Sequence, residues 1–127
     1  MFSNAEDRFL KSQWVCRLAT ASADGWPHNV PVGFAFDGKT FYITSEPGAK
    51  KVRNMAKNQR VCLIIDIPEK PRKAIMVQGL ATLVDRGEEF ARINEVISKQ
   101  RGWKKWKEGD QIMVLIEPTR KVSWGVS

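Results

Sequence analysis

From Trp14 to Thr44, apolar and polar residues alternate in short runs separated by glycine-bearing turns, the period-two pattern of half-buried strands. Trp14 to Ser22 reads as a strand, Ala23-Asp24-Gly25 as a hairpin turn and Pro27 to Phe36 as the return strand. Asp37-Gly38-Lys39 makes a second turn into a third strand, Thr40 to Thr44. Before this meander, residues 4–13 show helical spacing. Ala5, Phe9 and Leu10 form the stripe, Phe2 precedes it, and Ser3 or Asn4 can cap it. After it, a helix over about 49–57 would turn Ala49, Val52, Met55 and Ala56 inward, with Lys50, Arg53, Asn54 and Lys57 off that face. Arg60 to Asp66 is a β-rich apolar run, and Pro68 to Arg72 a basic loop. Ala74 to Asp85 is a long strand in which Gly79 marks a bulge or kink. A helix fits 87–100, with Phe90, Ile93, Val96 and Ile97 on one side and Glu88, Glu89, Arg92 and Glu95 on the other. Trp103 to Trp106 reads as a further helical turn or a lid. Gln111 to Glu117 is the last strand, broken at Pro118, with Thr119 to Trp124 extended beyond it.

Six strands joined mainly by hairpins, with helices inserted late, predict a mainly β protein: a closed or nearly closed antiparallel barrel. Strand–helix alternation is missing, so a doubly wound parallel sheet is not expected. The 127 residues suit a single domain, 1–127. No apolar run is long enough to span a membrane, and the first residues lack the apolar core of a signal peptide; the expectation is a cytoplasmic protein. Cys16 and Cys62 each lie in an apolar run without metal-ligand spacing, and are expected to be reduced core thiols.

A formal charge of +7 favours anionic partners without choosing among nucleic acid, a phosphorylated cofactor and an acidic protein. The location of the charge says more. Lys50 and Lys51 open the helix that follows Pro47-Gly48, where free backbone N–H groups and the helix dipole are already positive. Cations are tolerated there best when an anion such as a phosphate shares the site; a solvated basic helix face is the other reading. Catalytic motifs are otherwise missing: no phosphate-binding glycine loop, no dinucleotide fingerprint, no nucleophile elbow, and His28 as the single histidine. No catalytic residue and no metal site can be named. If the chain is an enzyme, a bound cofactor carries the chemistry.

Several segments, in this order and spacing, resemble the pyridoxamine 5′-phosphate oxidase-like flavin-binding split-barrel family. They are Arg17-Leu18-Ala19-Thr20, Asp24 to Val32, Phe41 to Ser45, Lys50 to Met55 and the terminal Trp124-Gly125. The resemblance implies a six-stranded split barrel of Greek-key type that forms a homodimer, with two flavin sites at the subunit interface. Lys50 and Lys51 would grip the FMN phosphate, and Thr44 and Ser45 would bond the phosphate or ribityl chain. The backbone of Asn29, Val30, Pro31 and Val32 would border the flavin ring, and Trp124 would reach the flavin of the partner subunit. The second strand carries no Arg or Lys and the C-terminus no His, which speaks against vitamin B6 oxidation. The short chain is more similar to general flavin or deazaflavin reductases.

The leading expectation is therefore an FMN-dependent oxidoreductase acting on a small-molecule substrate. Alternatives are a 5-deazaflavin coenzyme in the same groove, a flavin carrier or sensor without turnover, and a nucleic-acid-binding barrel. The last draws on Trp103 and Trp106 interleaved with Lys104, Lys105 and Lys107, but the basic residues fall in separate short clusters and nucleic acid is not the expected partner. Roles for His28, Arg53 and Gln78 stay open.

Overall fold

Both hairpin signals are realised, with Gly25 (φ 88°) and Gly38 (φ 101°) in the left-handed conformations their turns require. The computed structural model describes residues 1–127. Its elements are α1 (Asn4–Ser12), β1 (Val15–Ala21), β2 (Pro27–Gly33), β3 (Ala35–Phe36), β4 (Phe41–Ser45), α2 (Lys50–Lys57), β5 (Arg60–Ile67), β6 (Lys73–Val84), α3 (Gly87–Arg101) and β7 (Ile112–Trp124). All strand pairs are antiparallel, in the order β2-β1-β5-β6-β7-β4-β3. Strand β4 lies beside β7 rather than β5, a Greek-key arrangement. The mainly β, antiparallel barrel is as expected, with seven strands in place of six.

The additional strand arises at Phe34. The segment 27–36, expected to be one strand, pairs with β1 through Gly33 and with β4 from Ala35. Its two parts, β2 and β3, are the two outermost strands of the sheet, joined by this single residue. The barrel thus closes through the chain itself instead of through a ladder of hydrogen bonds. Two residues at the end of α3 hold the junction. The Gln100 amide accepts from Phe36 N–H (2.8 Å) and donates to Phe36 C=O (2.6 Å). Arg101 donates to the carbonyls of Phe34 (2.7 Å), Lys11 (3.1 Å) and Gln13, and its guanidinium lies over the Phe34 ring.

Inside the barrel, Leu18, Phe34, Phe36, Phe41, Leu63, Ile65, Ile75 and Val114 are fully buried with Phe9 and Leu10 of α1 beside them. A second core lies where α3 covers the outer side of β3-β4-β7 through Phe90, Ile93 and Ile97. The outer side of β1-β5-β6 carries no helix. Strand β7 continues past Pro118, correcting the expected break. The register slips between Gly79↔Pro118 and Gln78↔Arg120, leaving Thr119 as the extra residue. Gly79 is needed there because a Cβ would lie 2.7 Å from the Glu117 carbonyl oxygen. Residues 103–106 are not helical, correcting a second expectation. The left-handed Gly102 ends α3, and the chain returns along it without regular secondary structure. In α2, Asn54 is buried and Ala56 exposed, the reverse of the spacing argument. Cys16 is in the core, where burial pushes its thiol up to about 12. Cys62 lies half-buried on the uncovered face, so only one of the two thiols is in the core; both are free.

Ser3 caps α1 in a reciprocal box with Glu6. Glu6 is 3% exposed and takes two bonds from Lys121 Nζ (2.5 and 2.7 Å). Burial by itself would raise its pKa, but Lys121, the Ser3 N–H and Ser123 outweigh that and hold it at about 2. A carboxylate depressed in the folded state stabilises the fold above its ordinary value of 4.5, and that contribution is lost as pH falls towards about 2. It amounts to roughly 3 kcal/mol. Urea denaturation between pH 6 and pH 2 should show this loss in the wild type and a flatter profile in Glu6→Gln. At the junction, Arg101→Ala should cost about 3 kcal/mol because three carbonyls lose their donor. Arg101→Lys should not restore it, since one ammonium cannot match the fork.

Candidate functional site

The three helices treat their positive ends differently. The first turns of α1 and α3 hold Glu6 and Asp7, and Glu88 and Glu89. The first turn of α2 has no acid, its N-cap Ala49 supplies no side-chain bond, and it carries Lys50 and Lys51. The Val52 N–H bonds the Ala49 carbonyl (3.1 Å), which leaves the N–H groups of Lys50 and Lys51 without a partner in the chain, so field, donors and ammonium groups all favour an anion at this end. Lys51 is 14% exposed, and its nearest carboxylate is Glu46, solvent-exposed and 3.9 Å away. Lys50 turns the other way, into a cleft of about 430 Å³ between α2 and the β1–β2 turn that includes Ser22, Asp24 and Arg53. The two lysines therefore serve neighbouring surfaces. Arg53 folds back on the helix start, donating to the Gly48 carbonyl (2.5 Å); Lys57 faces the Lys50 cleft.

Asn54 fixes the position of this helix. Its amide donates to Thr20 Oγ1 (3.0 Å) from a fully packed site, tying α2 to β1, while Val52 and Met55 enter the core. Sequence spacing did not single out Asn54, because asparagine two residues after a buried valine reads as an outer position.

The other side of the site is the free edge of β2. The Phe34 N–H bonds Trp14 C=O, and the alternation of an antiparallel pair then turns the backbone groups of His28, Val30 and Val32 towards β1. Those of Asn29, Pro31 and Gly33 point away. Pro31 thus falls where its missing N–H costs no ladder bond, and Asn29 and Gly33 offer unpaired N–H and C=O groups. Across the seam stands β4. Ala35 pairs with Tyr42 and Phe36 with Phe41, a register that would set Gly33 opposite Thr44 and Val32 opposite Ser45. The ladder stops short of those positions, yet β2 and β4 still come within 8 Å, Cα to Cα, over part of their length. Asn29 to Val32 therefore line one wall of a wedge, with Thr44, Ser45 and the start of α2 on the other. Thr44 is half-buried; Ser45 is inward, 2% exposed, with its hydroxyl on the Glu46 carbonyl (3.1 Å).

His28 sits on the half-buried face of β2 opposite Thr20, and its Nδ1 is buried without a hydrogen-bond partner. Gln78 projects from the outer face of β6, where it lines a groove of about 420 Å³ with Ala19, Cys62, Leu80 and Thr119. Trp124 pairs with Ala74 and lies at the opposite end of β7 from Ile112, the partner of Ser45. It meets none of the wedge residues of its own chain. No group of three His, Cys, Asp or Glu side chains is arranged to hold a metal, and no helix is long and apolar enough to cross a membrane.

A cationic helix start without a side-chain cap, beside an open strand edge in a barrel split along that seam, defines a split-barrel protein. The family model for pyridoxamine 5′-phosphate oxidase matches residues 2–120, and the chain belongs to that family. Trp124 falls outside the matched segment. The chain is 34% identical to the 5a,11a-dehydrotetracycline/5a,11a-dehydrooxytetracycline reductase of Streptomyces rimosus subsp. rimosus, over 98% of this chain and 84% of that protein. Its fold is similar to an FAD-binding protein from Mesorhizobium loti, with TM-score 0.74, 26% identity and coverage of 96% and 91% of the two chains. It is also similar to an F420 reductase, with TM-score 0.73, 21% identity and coverage of 91% and 94%.

If the Asn54–Thr20 bond sets the placement of α2, Asn54→Ala should lower stability by about 1–2 kcal/mol, since Thr20 Oγ1 is left buried and unpaired. The double variant Asn54→Ala/Thr20→Val should be less destabilised than the sum of the singles, as read from urea midpoints in a double-mutant cycle.

Proposed function

We propose that the chain is a reductase that binds a flavin-type coenzyme in the wedge between β2 and α2 and acts on a small molecule. The observation that carries this reading is Lys51, its stem buried and its ammonium 3.9 Å from a single exposed carboxylate, at an uncapped helix start. The residues fit such a coenzyme. Lys51 and the first-turn N–H groups of α2 would hold its phosphate with charge-assisted bonds. Ser45 and Thr44 stand beside that phosphate. Asn29, Val30, Pro31 and Val32 supply an apolar wall with unpaired backbone groups for the ring. His28 Nδ1 is a further polar group on that strand that nothing in the chain satisfies. The coenzyme supplies hydride transfer when bound; the side chains bind, orient and exclude water, with no acid–base residue required.

FMN and a 5-deazaflavin share a phosphate and a flat tricycle, and both suit this wall. The reductase name of the Streptomyces relative supports the reaction class, and the fold shared with an F420 reductase favours testing the deazaflavin alongside FMN. A homodimer completes the proposal. The uncovered outer face presents Ile64, Met76, Val122 and Trp124, an apolar stripe that a second copy would bury. That contact would bring Trp124 to the groove of the other subunit, a place it does not reach in its own.

The purified protein should be yellow, or become so with added FMN, and release the flavin on denaturation. A protein that binds neither FMN nor the deazaflavin refutes the assignment. Lys51→Ala should weaken coenzyme binding about 10- to 100-fold, the loss of one charge-assisted bond of roughly 1.5–3 kcal/mol, while Lys57→Ala leaves it within twofold. Equal affinity in Lys51→Ala and wild type would remove Lys51 from the site.

A further inference from the structure

The core is built from phenylalanine, leucine and isoleucine, and every tryptophan is left outside it: Trp14 is 61% exposed, Trp26 71%, Trp103 38%, Trp106 44% and Trp124 49%. Two of these exposed indoles are held against each other. Trp14 and Trp103 meet edge to face, with ring centroids 6.3 Å apart and planes at 84°. Trp103 lies on the backbone of Gly33, where a Cβ would come within 2.8 Å of its ring. Trp14 ends the segment that leads into β1, and its carbonyl takes the Phe34 N–H. Both indoles are thus fixed to the junction at which the barrel splits, one residue beyond Val32.

The segment 102–111 carries Trp103 to that junction. It leaves α3 at Gly102, and its middle is clamped to α3 by Asn94, whose side chain bonds both Trp106 C=O (2.7 Å) and Trp106 N–H (3.0 Å). Lys105 pairs with Glu95. The segment then enters β7 at Ile112, opposite Ser45. It therefore runs back along α3 from the Gly33 junction to the helix start, where the Glu108 carboxylate accepts from Gly87 N–H (2.7 Å).

Between the two indoles, Gln100 and Arg101 is an open surface groove of about 390 Å³. The amide and guanidinium groups in its lining are already engaged. Both ends of the Gln100 amide are bonded to Phe36, and each nitrogen of Arg101 to a backbone carbonyl. Two perpendicular indoles leave a corner in which a flat molecule can lie on one ring face while its edge meets the other. We propose that this pocket holds the rings of the substrate, and that the substrate is a planar molecule of two or more fused rings recognised by stacked area more than by hydrogen bonds. The proposal rests on the reading of the β2 edge as the coenzyme wall, because it places the substrate rings next along the same strand.

Calorimetric titration with anthraquinone-2-sulfonate, a flat fused tricycle, tests it, with 1,4-benzoquinone as the single-ring control and FMN affinity measured in parallel. Wild type and Trp26→Ala should bind the tricycle alike and much more tightly than benzoquinone. Trp103→Ala and Trp14→Ala should each lose about tenfold or more in affinity for the tricycle, with FMN affinity kept within twofold. Gly33→Ala, which removes no ring but forces Trp103 to move, should weaken the tricycle as well. Tricycle affinity unchanged in Trp103→Ala and Gly33→Ala, or benzoquinone bound as tightly as the tricycle, overturns the pocket. Loss of tricycle binding in Trp103→Ala alongside a wild type that binds no FMN supports the ring pocket and removes the coenzyme reading instead.

Discussion

The structure depends on one segment serving both edges of one sheet. Phe34 links β2, which pairs with β1, to β3, which pairs with β4, and β2 and β3 lie at opposite ends of the strand order. A ladder cannot continue through such a point, because the same backbone groups would have to face two ways. The donors and acceptors this strands are met by side chains instead: Gln100 stands in for a missing neighbour at Phe36, and Arg101 takes the Phe34 carbonyl. The barrel is consequently sealed at the junction and open beyond it. That opening leaves the edge of β2 unpaired and makes a groove possible in a protein whose interior is filled with side chains.

The electrostatics follow the same geography. At the starts of α1 and α3 the chain uses acids, with a capping box at α1. Where the groove opens it uses neither, and α2 begins with two lysines held in place by a buried Asn54–Thr20 bond. An uncapped, doubly cationic helix start is locally unfavourable. The packing of Val52 and Met55 keeps it there, at the mouth of the wedge. A site built from backbone edges, one buried-stem lysine and an unpartnered imidazole nitrogen is suited to holding a ligand, and little of it can move protons.

Much of this was legible from pattern. Alternation and Asp-Gly turns located the first strands, and helical spacing located all three helices to within a residue or so. The cationic start of α2 was visible as an anomaly in its first turn. Misreadings fell where tertiary contacts overrule local preference. Pro118 was expected to end a strand, but a bulge opposite Gly79 absorbs its missing N–H. Trp103 to Trp106 has helical spacing, yet Asn94 holds the Trp106 backbone against α3 in irregular chain. Asn54 is polar and was placed outside, whereas Thr20 gives it a partner within. Gln78 could not be assigned a face until the extra residue, Thr119, fixed the parity of the strand pair.

The sequence by itself determined the main element types, the antiparallel barrel and the cationic start of α2, because periodicity, turn chemistry and helix-end charge act over a few residues. Only the tertiary structure decided which strands share an edge, that Lys50 and Lys51 serve different surfaces, and that Trp14 and Trp103 meet over Gly33. Those outcomes depend on pairings between residues up to about ninety positions apart, and local pattern carries no information about which distant segment will close a given edge.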